Sequence, residues 1–252
     1  MESADGTVIA YDRCGRGPVL VLVVGAFCDR TAFGSLADVL AAEFTVFTYD
    51  RRGRGGSGER AEYAVDREID DLEAVISAAG GSACVFGHSS GAALALLAAA
   101  RGSPISRLVA YEPPWSADDT GSDGLRDELA RLVAAGRRGD AAKHFLAQTG
   151  MPAEVLEAIT AAPSWPAMEA MAPTLLHELD VVGNSGLPTE RLAAITVPTL
   201  VLGGWSSPGW LQETGRVVAA TVPAAWFELL PGQDHNPADD VLAPVLIEFL
   251  TR

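Results

Sequence analysis

Cysteine is scarce in this chain. Cys14, Cys28 and Cys84 form an odd set without metal-like spacing, which argues for buried thiols and against a disulfide scaffold. Long apolar runs are also missing: none reaches the roughly 18 to 20 residues that span a bilayer. The opening Met1-Glu2-Ser3-Ala4-Asp5 is acidic and has neither the basic nor the apolar region of a signal peptide, so a cytoplasmic location is expected. Positive charge is in deficit, with 18 Lys and Arg against 33 Asp and Glu and a net charge of −15. A surface that acidic disfavours nucleic acid and anionic membranes, which leaves a small molecule as the expected partner. The glycine-rich stretch Gly53 to Gly58 lacks the G-K-[ST] of a phosphate-binding loop. No cofactor or metal is implied, there is no internal repeat or low-complexity tract, and the oligomeric state is not legible.

What is present points to one sizeable core. The 252 residues are 48% hydrophobic, which excludes a disordered chain and suits a single α/β domain carrying an insertion. Strand-like runs recur at Thr7 to Tyr11, Val19 to Val24, Thr45 to Tyr49, Ala83 to Phe86, Arg107 to Tyr111, Thr199 to Gly203 and Ala225 to Leu230. Helical patterns lie between most of them, at Ala32 to Ala42, Val65 to Ala79, Ala92 to Ala100, Gln212 to Ala220 and Ala238 to Leu250. The middle strands are continuously apolar, as in a mostly parallel sheet covered on both faces by helices with right-handed crossovers.

One stretch breaks the alternation. From Pro113 to Val197 the patterns are helical, at Leu125 to Ala135, Ala141 to Thr149, Pro152 to Ala161 and Pro166 to Val182. Gly136, Gly139, Gly150, Pro163 and Pro166 punctuate them. A structureless loop of that length is improbable, and the sheet pattern resumes afterwards. The expectation is a core of residues 1–112 and 198–252 with a helical cap inserted at 113–197.

Five residues carry the chemistry. Gly87-His88-Ser89-Ser90-Gly91 spell G-x-S-x-G between the run Ala83 to Phe86 and the helix-forming run Ala92 to Ala100. Strand, sharp turn, helix is the setting of a nucleophile elbow, and Ser89 is its candidate nucleophile. A serine on so tight a turn should have φ above zero, and small residues at 87 and 91 avoid collision. The helix beginning near Ser90 turns free N–H groups and a positive dipole end towards the site.

Four segments together resemble the α/β-hydrolase superfamily over nearly the whole chain. Gly25-Ala26-Phe27 follows an early strand where that family often has His-Gly-x. Tyr49-Asp50-Arg51-Arg52-Gly53-Arg54-Gly55-Gly56-Ser57-Gly58 is similar to its D-x-R-G-x-G-x-S loop. The elbow matches, and Gly232-Gln233-Asp234-His235 resembles the loop of its catalytic histidine. The resemblance implies the α/β-hydrolase fold, with the helical insertion in the family's usual cap position.

A serine hydroxyl needs a base. Of four histidines, His235 lies after a strand and before the last helix, where Asn236 is expected to cap, Pro237 to sit in the first turn, and Asp239 and Asp240 to meet the dipole. His235 is the candidate general base. His88 should point away from the elbow's apex, while His144 and His177 belong to the cap, with a surface role expected for His177.

The acid departs from the family pattern. After Thr199 to Gly204 the family usually places an Asp, and Ser207 stands there. Some members, including certain haloalkane dehalogenases, carry the acid at the end of the strand after the elbow. Here that residue is Glu112, which Pro113 biases towards an extended backbone. Glu112 also keeps the chain order Ser, acid, His. It is the candidate orienting acid. Asp234 ranks below it, because sequence neighbours rarely face one another, and Asp118 and Asp119 rank lower still.

The oxyanion hole is expected from the N–H groups of Ser90 and Ala26, with Phe27 next. Backbone donors do not depend on side-chain type, so Val24 in place of the usual His need not remove it. Phe27, Trp115, Trp165, Met168, Met171, Trp205 and Trp210 are candidates for an apolar pocket wall. The expected reaction is hydrolysis of an ester, thioester or lactone through an acyl-enzyme at Ser89. The superfamily also holds carbon–carbon hydrolases, lyases and perhydrolases that share such a site, and a binding protein with a degenerate triad is the non-catalytic alternative. Dehalogenase chemistry would place Asp at position 89.

Overall fold

Continuous apolar runs become the middle of a sheet buried on both faces. The computed structural model describes residues 1–60, 62–115, 124–183 and 186–252. Its strands are β1 (Tyr11–Gly15), β2 (Val19–Val23), β3 (Thr45–Tyr49), β4 (Ala83–His88), β5 (Ile105–Tyr111), β6 (Thr199–Gly204) and β7 (Ala225–Leu230). They form one seven-stranded sheet in the order β1-β3-β2-β4-β5-β6-β7. Only β1, paired with β3, runs antiparallel. The helices are α1 (Gly34–Leu40), α2 (Val65–Ala79), α3 (Ser90–Arg101), α4 (Leu125–Ala134), α5 (Arg138–Gln148), α6 (Ala153–Ala161), α7 (Trp165–Met171), α8 (Leu175–Val182), α9 (Thr189–Leu192), α10 (Gly209–Thr221) and α11 (Asp239–Leu250).

Alternation along each strand divides the core in two. Val21, Val23, Val85, Leu108, Ala110 and Val201 face α2, α3 and α10. Leu20, Leu22, Phe86, Val109, Leu200 and Leu202 face α1 and α11. Helix α3 is buried from Ser90 to Ala99, which explains why its sequence is apolar all round rather than amphipathic. Between β5 and β6, helices α4, α5, α7 and the start of α8 bury a third cluster around Leu129, Leu132, Trp165 and Leu175. No helix among the described residues is long and apolar enough to cross a membrane.

Two expectations change. Residues 7 to 10 do not form a ladder strand. Val8 O accepts from Gly58 N at 2.8 Å, and Ala10 N donates to Ser57 Oγ at 3.0 Å, so their backbone groups hold the loop after β3. The first ladder strand is β1, further along. The pattern Pro166 to Val182 is not one helix. Pro173 has no N–H to donate, and a 3₁₀ turn at Ala172–Thr174 separates α7 from α8.

The central position of α3 gives a stability prediction. Leu96 has no exposed surface. Leu96→Ala should lower the unfolding free energy by about 2 to 5 kcal/mol in urea titration with an unchanged m-value.

Candidate active site

The strand order reverses between β2 and β4, and in open parallel sheets the crevice at such a switch point, at the carboxyl ends, is where ligands bind. Three non-glycine residues among those described have positive φ: Phe27 at 57°, Ser89 at 56° and Glu112 at 48°. They follow β2, β4 and β5, three neighbouring strands, and each such conformation costs on the order of 1 to 3 kcal/mol. Backbone strain is thus concentrated at one end of the sheet.

At the elbow, Ser89 has φ 56° and ψ −127°, and its N–H donates to Tyr111 O at 2.8 Å. Helix α3 starts at the next residue. The turn is feasible because its flanks are glycine. A Cβ on Gly87 would lie 2.5 Å from Gly91 O, and one on Gly91 would lie 2.3 Å from Val23 O.

Glu112 and His235 meet. His235 Nδ1 donates to Glu112 Oε2 at 2.6 Å, and Gly204 N donates to Oε1 at 2.7 Å. The Glu112 side chain has no exposed surface, whereas that of His235 is 37% exposed. Burial pushes the Glu112 carboxyl up, but the bonds from His235 and Gly204 and the nearby Ser207 dipole outweigh it and hold the group below its ordinary value. Ser207 Oγ is buried and makes no hydrogen bond of good geometry itself. The extended backbone expected of Glu112 is not what forms: at φ 48° it turns left-handed, with its own N–H donated to Leu202 O at 2.9 Å. That turn takes the chain out of the sheet and follows from the pull of partners on β6 and beyond β7, which overrides the bias of Pro113.

The His235 loop is clamped by its carbonyls. His88 Nε2 donates to His235 O at 2.7 Å, and Tyr111 Oη donates to Asp234 O at 2.5 Å. The His88 ring lies 4.7 Å from that of His235, centroid to centroid. Asp234 Oδ1 accepts the loop's own Asn236 N–H at 2.8 Å, so this carboxylate supports the loop. The expected cap also differs. Ala238 occupies the N-cap of α11, Asn236 and Pro237 precede it, and only Asp239 and Asp240 stand in the first turn. Gln233 Oε1 takes the Ala238 N–H instead, at 2.8 Å. Ser89 Oγ and the His235 ring are not hydrogen-bonded in this resting arrangement; such bonds often close only around substrate. Asp118 and Asp119 lie outside the described residues.

A buried ionic network under the site escaped the sequence reading. Arg51, Arg52 and Arg54 are all nearly free of exposed surface. Arg51 donates to Glu68 from Nε (2.6 Å) and Nη2 (3.0 Å), and from Nη1 to Ser90 Oγ (3.2 Å) and Glu178 (3.2 Å). Arg52 forks onto Asp71 at 2.7 Å. Arg54 pairs with Glu178 and donates to Gly25 O at 2.6 Å. Burial, and then the neighbouring Arg51, draw Arg54 down to about 9, which leaves it charged at neutral pH. Asp50 is structural: it takes the N–H groups of Arg30 and Gly56, each at 2.7 Å. Three arginines in four residues at a strand end were the available signal.

The expected pocket wall is scattered. Trp115 belongs to the sheet core, and Trp165 and Met168 to the α4–α8 cluster. Trp205 and Trp210 are exposed, at 66% and 44%. Phe27 does reach the helical segment, packing edge-on against Phe145 at 5.7 Å. His177 is not on the surface: it is buried, stacked on Tyr63 at 3.8 Å and bonded to Glu59 at 2.9 Å. Among the thiols only Cys84 is fully buried, with Cys14 and Cys28 half-buried.

Known proteins share this fold. The model of the alpha/beta hydrolase family matches residues 20–245. A solved alpha/beta hydrolase from Sphaerobacter thermophilus is 49% identical, with a TM-score of 0.95 over 99% of this chain and 98% of that one. An N-formylmaleamate deformylase from Pseudomonas putida is 39% identical over 45% of this chain and 44% of its own length. The match to the curated relatives thus spans less than half of their length. An esterase structure from Thermogutta terrifontis, at 24% identity, shares the fold with a TM-score of 0.77 over 99% of this chain and 95% of that one.

Two histidines, His177 buried and His88 half-buried, make the fold pH-sensitive. Burial lowers His88 and His177 from 6.5 to about 4 each. Between those values the unfolded chain binds protons that the folded chain does not, so stability rises with pH there and is lost as pH falls from 6.5 to 4. Urea unfolding should show a loss of a few kcal/mol between pH 7 and pH 4.5. His177→Gln should remove about half of that loss, His88 keeping the rest, and an unchanged pH slope in the variant would refute the assignment.

Proposed function

Because the chain belongs to the alpha/beta hydrolase family, we propose that it is a serine hydrolase whose nucleophile is Ser89, whose base is His235 and whose orienting acid is Glu112. One observation carries this reading: a fully buried carboxylate accepts a hydrogen bond from His235 Nδ1 at 2.6 Å, at the strand end beside a strained serine. With Nδ1 given to Glu112, Nε2 is the ring nitrogen that accepts the Ser89 proton. Glu112 fixes the tautomer and stabilises the imidazolium that forms. Ser89 Oγ attacks the acyl carbon, and the N–H groups of Ser90 and Ala26 hold the anionic oxygen. The leaving group departs with the proton from His235, and water, activated by the same imidazole, releases the acid. The substrate is a small acyl compound: an ester, thioester or lactone. The deformylase relative adds N-formyl groups to that range. Residues 113–197 act as a cap on a core of 1–112 and 198–252, and Phe27 against Phe145 joins the two. A carboxylate on His235 speaks against the degenerate-triad reading that Ser207 suggested.

A fluorophosphonate probe should label the protein at Ser89, and Ser89→Ala should abolish both labelling and turnover. Glu112→Gln should lower kcat by roughly two to four orders of magnitude with the fold intact, since the wrong tautomer is then favoured. Ser207→Ala should cost less than about tenfold. The reverse ranking in steady-state kinetics would move the acid away from Glu112.

A further inference from the structure

The Arg51–Arg54–Glu178 network touches both halves of the oxyanion site. We propose that Arg54, held by Glu178 of α8, is a positioning residue that orients the Ala26 N–H towards the reacting oxygen. The inference rests on the serine hydrolase reading above. It starts from the peptide unit joining Gly25 to Ala26. Arg54 Nη1 donates to Gly25 O at 2.6 Å and to Cys28 O at 3.2 Å. No peptide bond among the described residues is cis. In a trans unit the C=O and N–H point in opposite directions. A carbonyl drawn down onto a buried guanidinium therefore turns the Ala26 N–H away from it.

That peptide lies against the nucleophile, since a Cβ on Gly25 would sit 2.9 Å from Ser89 Cβ. The loop continues into Phe27 at φ 57°, a conformation that needs restraint from outside. Arg54 supplies the restraint from below and Phe145 from the helical segment. Arg51 treats the other donor similarly: its Nη1 holds Ser90 Oγ at 3.2 Å and Val24 O at 3.4 Å.

Glu178 contacts both guanidinia. It is the carboxylate they share, and it arrives from α8, far along the chain. Its side chain is 2% exposed, so the pairing is dry. Arg51 has a second carboxylate in Glu68, whereas Glu178 is the sole ion-pair partner of Arg54 among the described residues. Helix α8 thus acts on the oxyanion loop without touching substrate. Loss of one oxyanion donor typically costs 10² to 10³ in rate, which sets the size of effect to seek.

The test removes both charges together, because a lone buried charge would unfold the site for an unrelated reason. Arg54→Met/Glu178→Met leaves Arg51 paired with Glu68. With folding verified by circular dichroism, kcat on a p-nitrophenyl ester should fall about 10²-fold while KM stays within about threefold. Affinity for a trifluoromethyl ketone, which forms an oxyanion on Ser89, should fall in parallel. If the double variant does not fold, Arg54→Lys carries the test, since one ammonium cannot hold two carbonyls and a carboxylate in a planar fork. The same split of kcat from KM is then expected at about tenfold. A folded variant that keeps kcat and ketone affinity within threefold of wild type overturns the positioning role alone. A wild-type protein that neither labels with a fluorophosphonate nor cleaves the ester overturns the hydrolase reading, and this role with it.

Discussion

A carboxylate sealed from water governs this end of the molecule. Glu112 has no exposed surface, and an ionised group in that position is stable only if its oxygens are met by donors. One oxygen takes the His235 ring and the other the Gly204 N–H. Those partners come from β6 and from the loop after β7, so one charge joins three parts of the chain. The contact is close: a Cβ on Gly204 would lie 2.5 Å from Gln233 O. The left-handed backbone at Glu112 is the local cost of this arrangement, offset by the bonds it allows.

The same economy recurs at the two neighbouring strand ends. Phe27 and Ser89 are held in unfavourable conformations by groups around them rather than by their own preferences. Ser89 is fixed through Tyr111 O, Phe27 through Phe145 and through carbonyls gripped by Arg54. Beneath them lies a set of arginines whose charges are matched by Glu68, Asp71 and Glu178. Such pairs add little net stability over an apolar core, yet removing one partner is costly, so they specify geometry rather than strengthen the fold.

Parts of this were legible from residues alone. The alternation of apolar runs and helical patterns marked β2 to β7 and α2 closely, because burial on two faces leaves a continuous apolar signature. The elbow was legible because two glycines flanking a serine at fixed spacing and a strand–helix junction are local features. Glu112 was legible as a candidate because a strand end is a local feature too. The run Thr7 to Tyr11 misled, since propensity there is that of a strand while its hydrogen bonds go to a loop. Asn236 misled because a cap residue was read from type, and Gln233 supplied the bond.

By itself, then, the sequence determined the class of fold, the order of its elements and the turn that exposes Ser89, for these depend on periodicity and on neighbours within a few residues. The tertiary structure alone decided which carboxylate His235 meets, that His177 is buried, and that Arg51 and Arg54 hold the loop after β2. Residues 112 and 235, or 54 and 178, come together only through the strand order and the packing of α8 on the core. No local preference encodes such distances. They are chosen by the requirement that every buried charge find a partner.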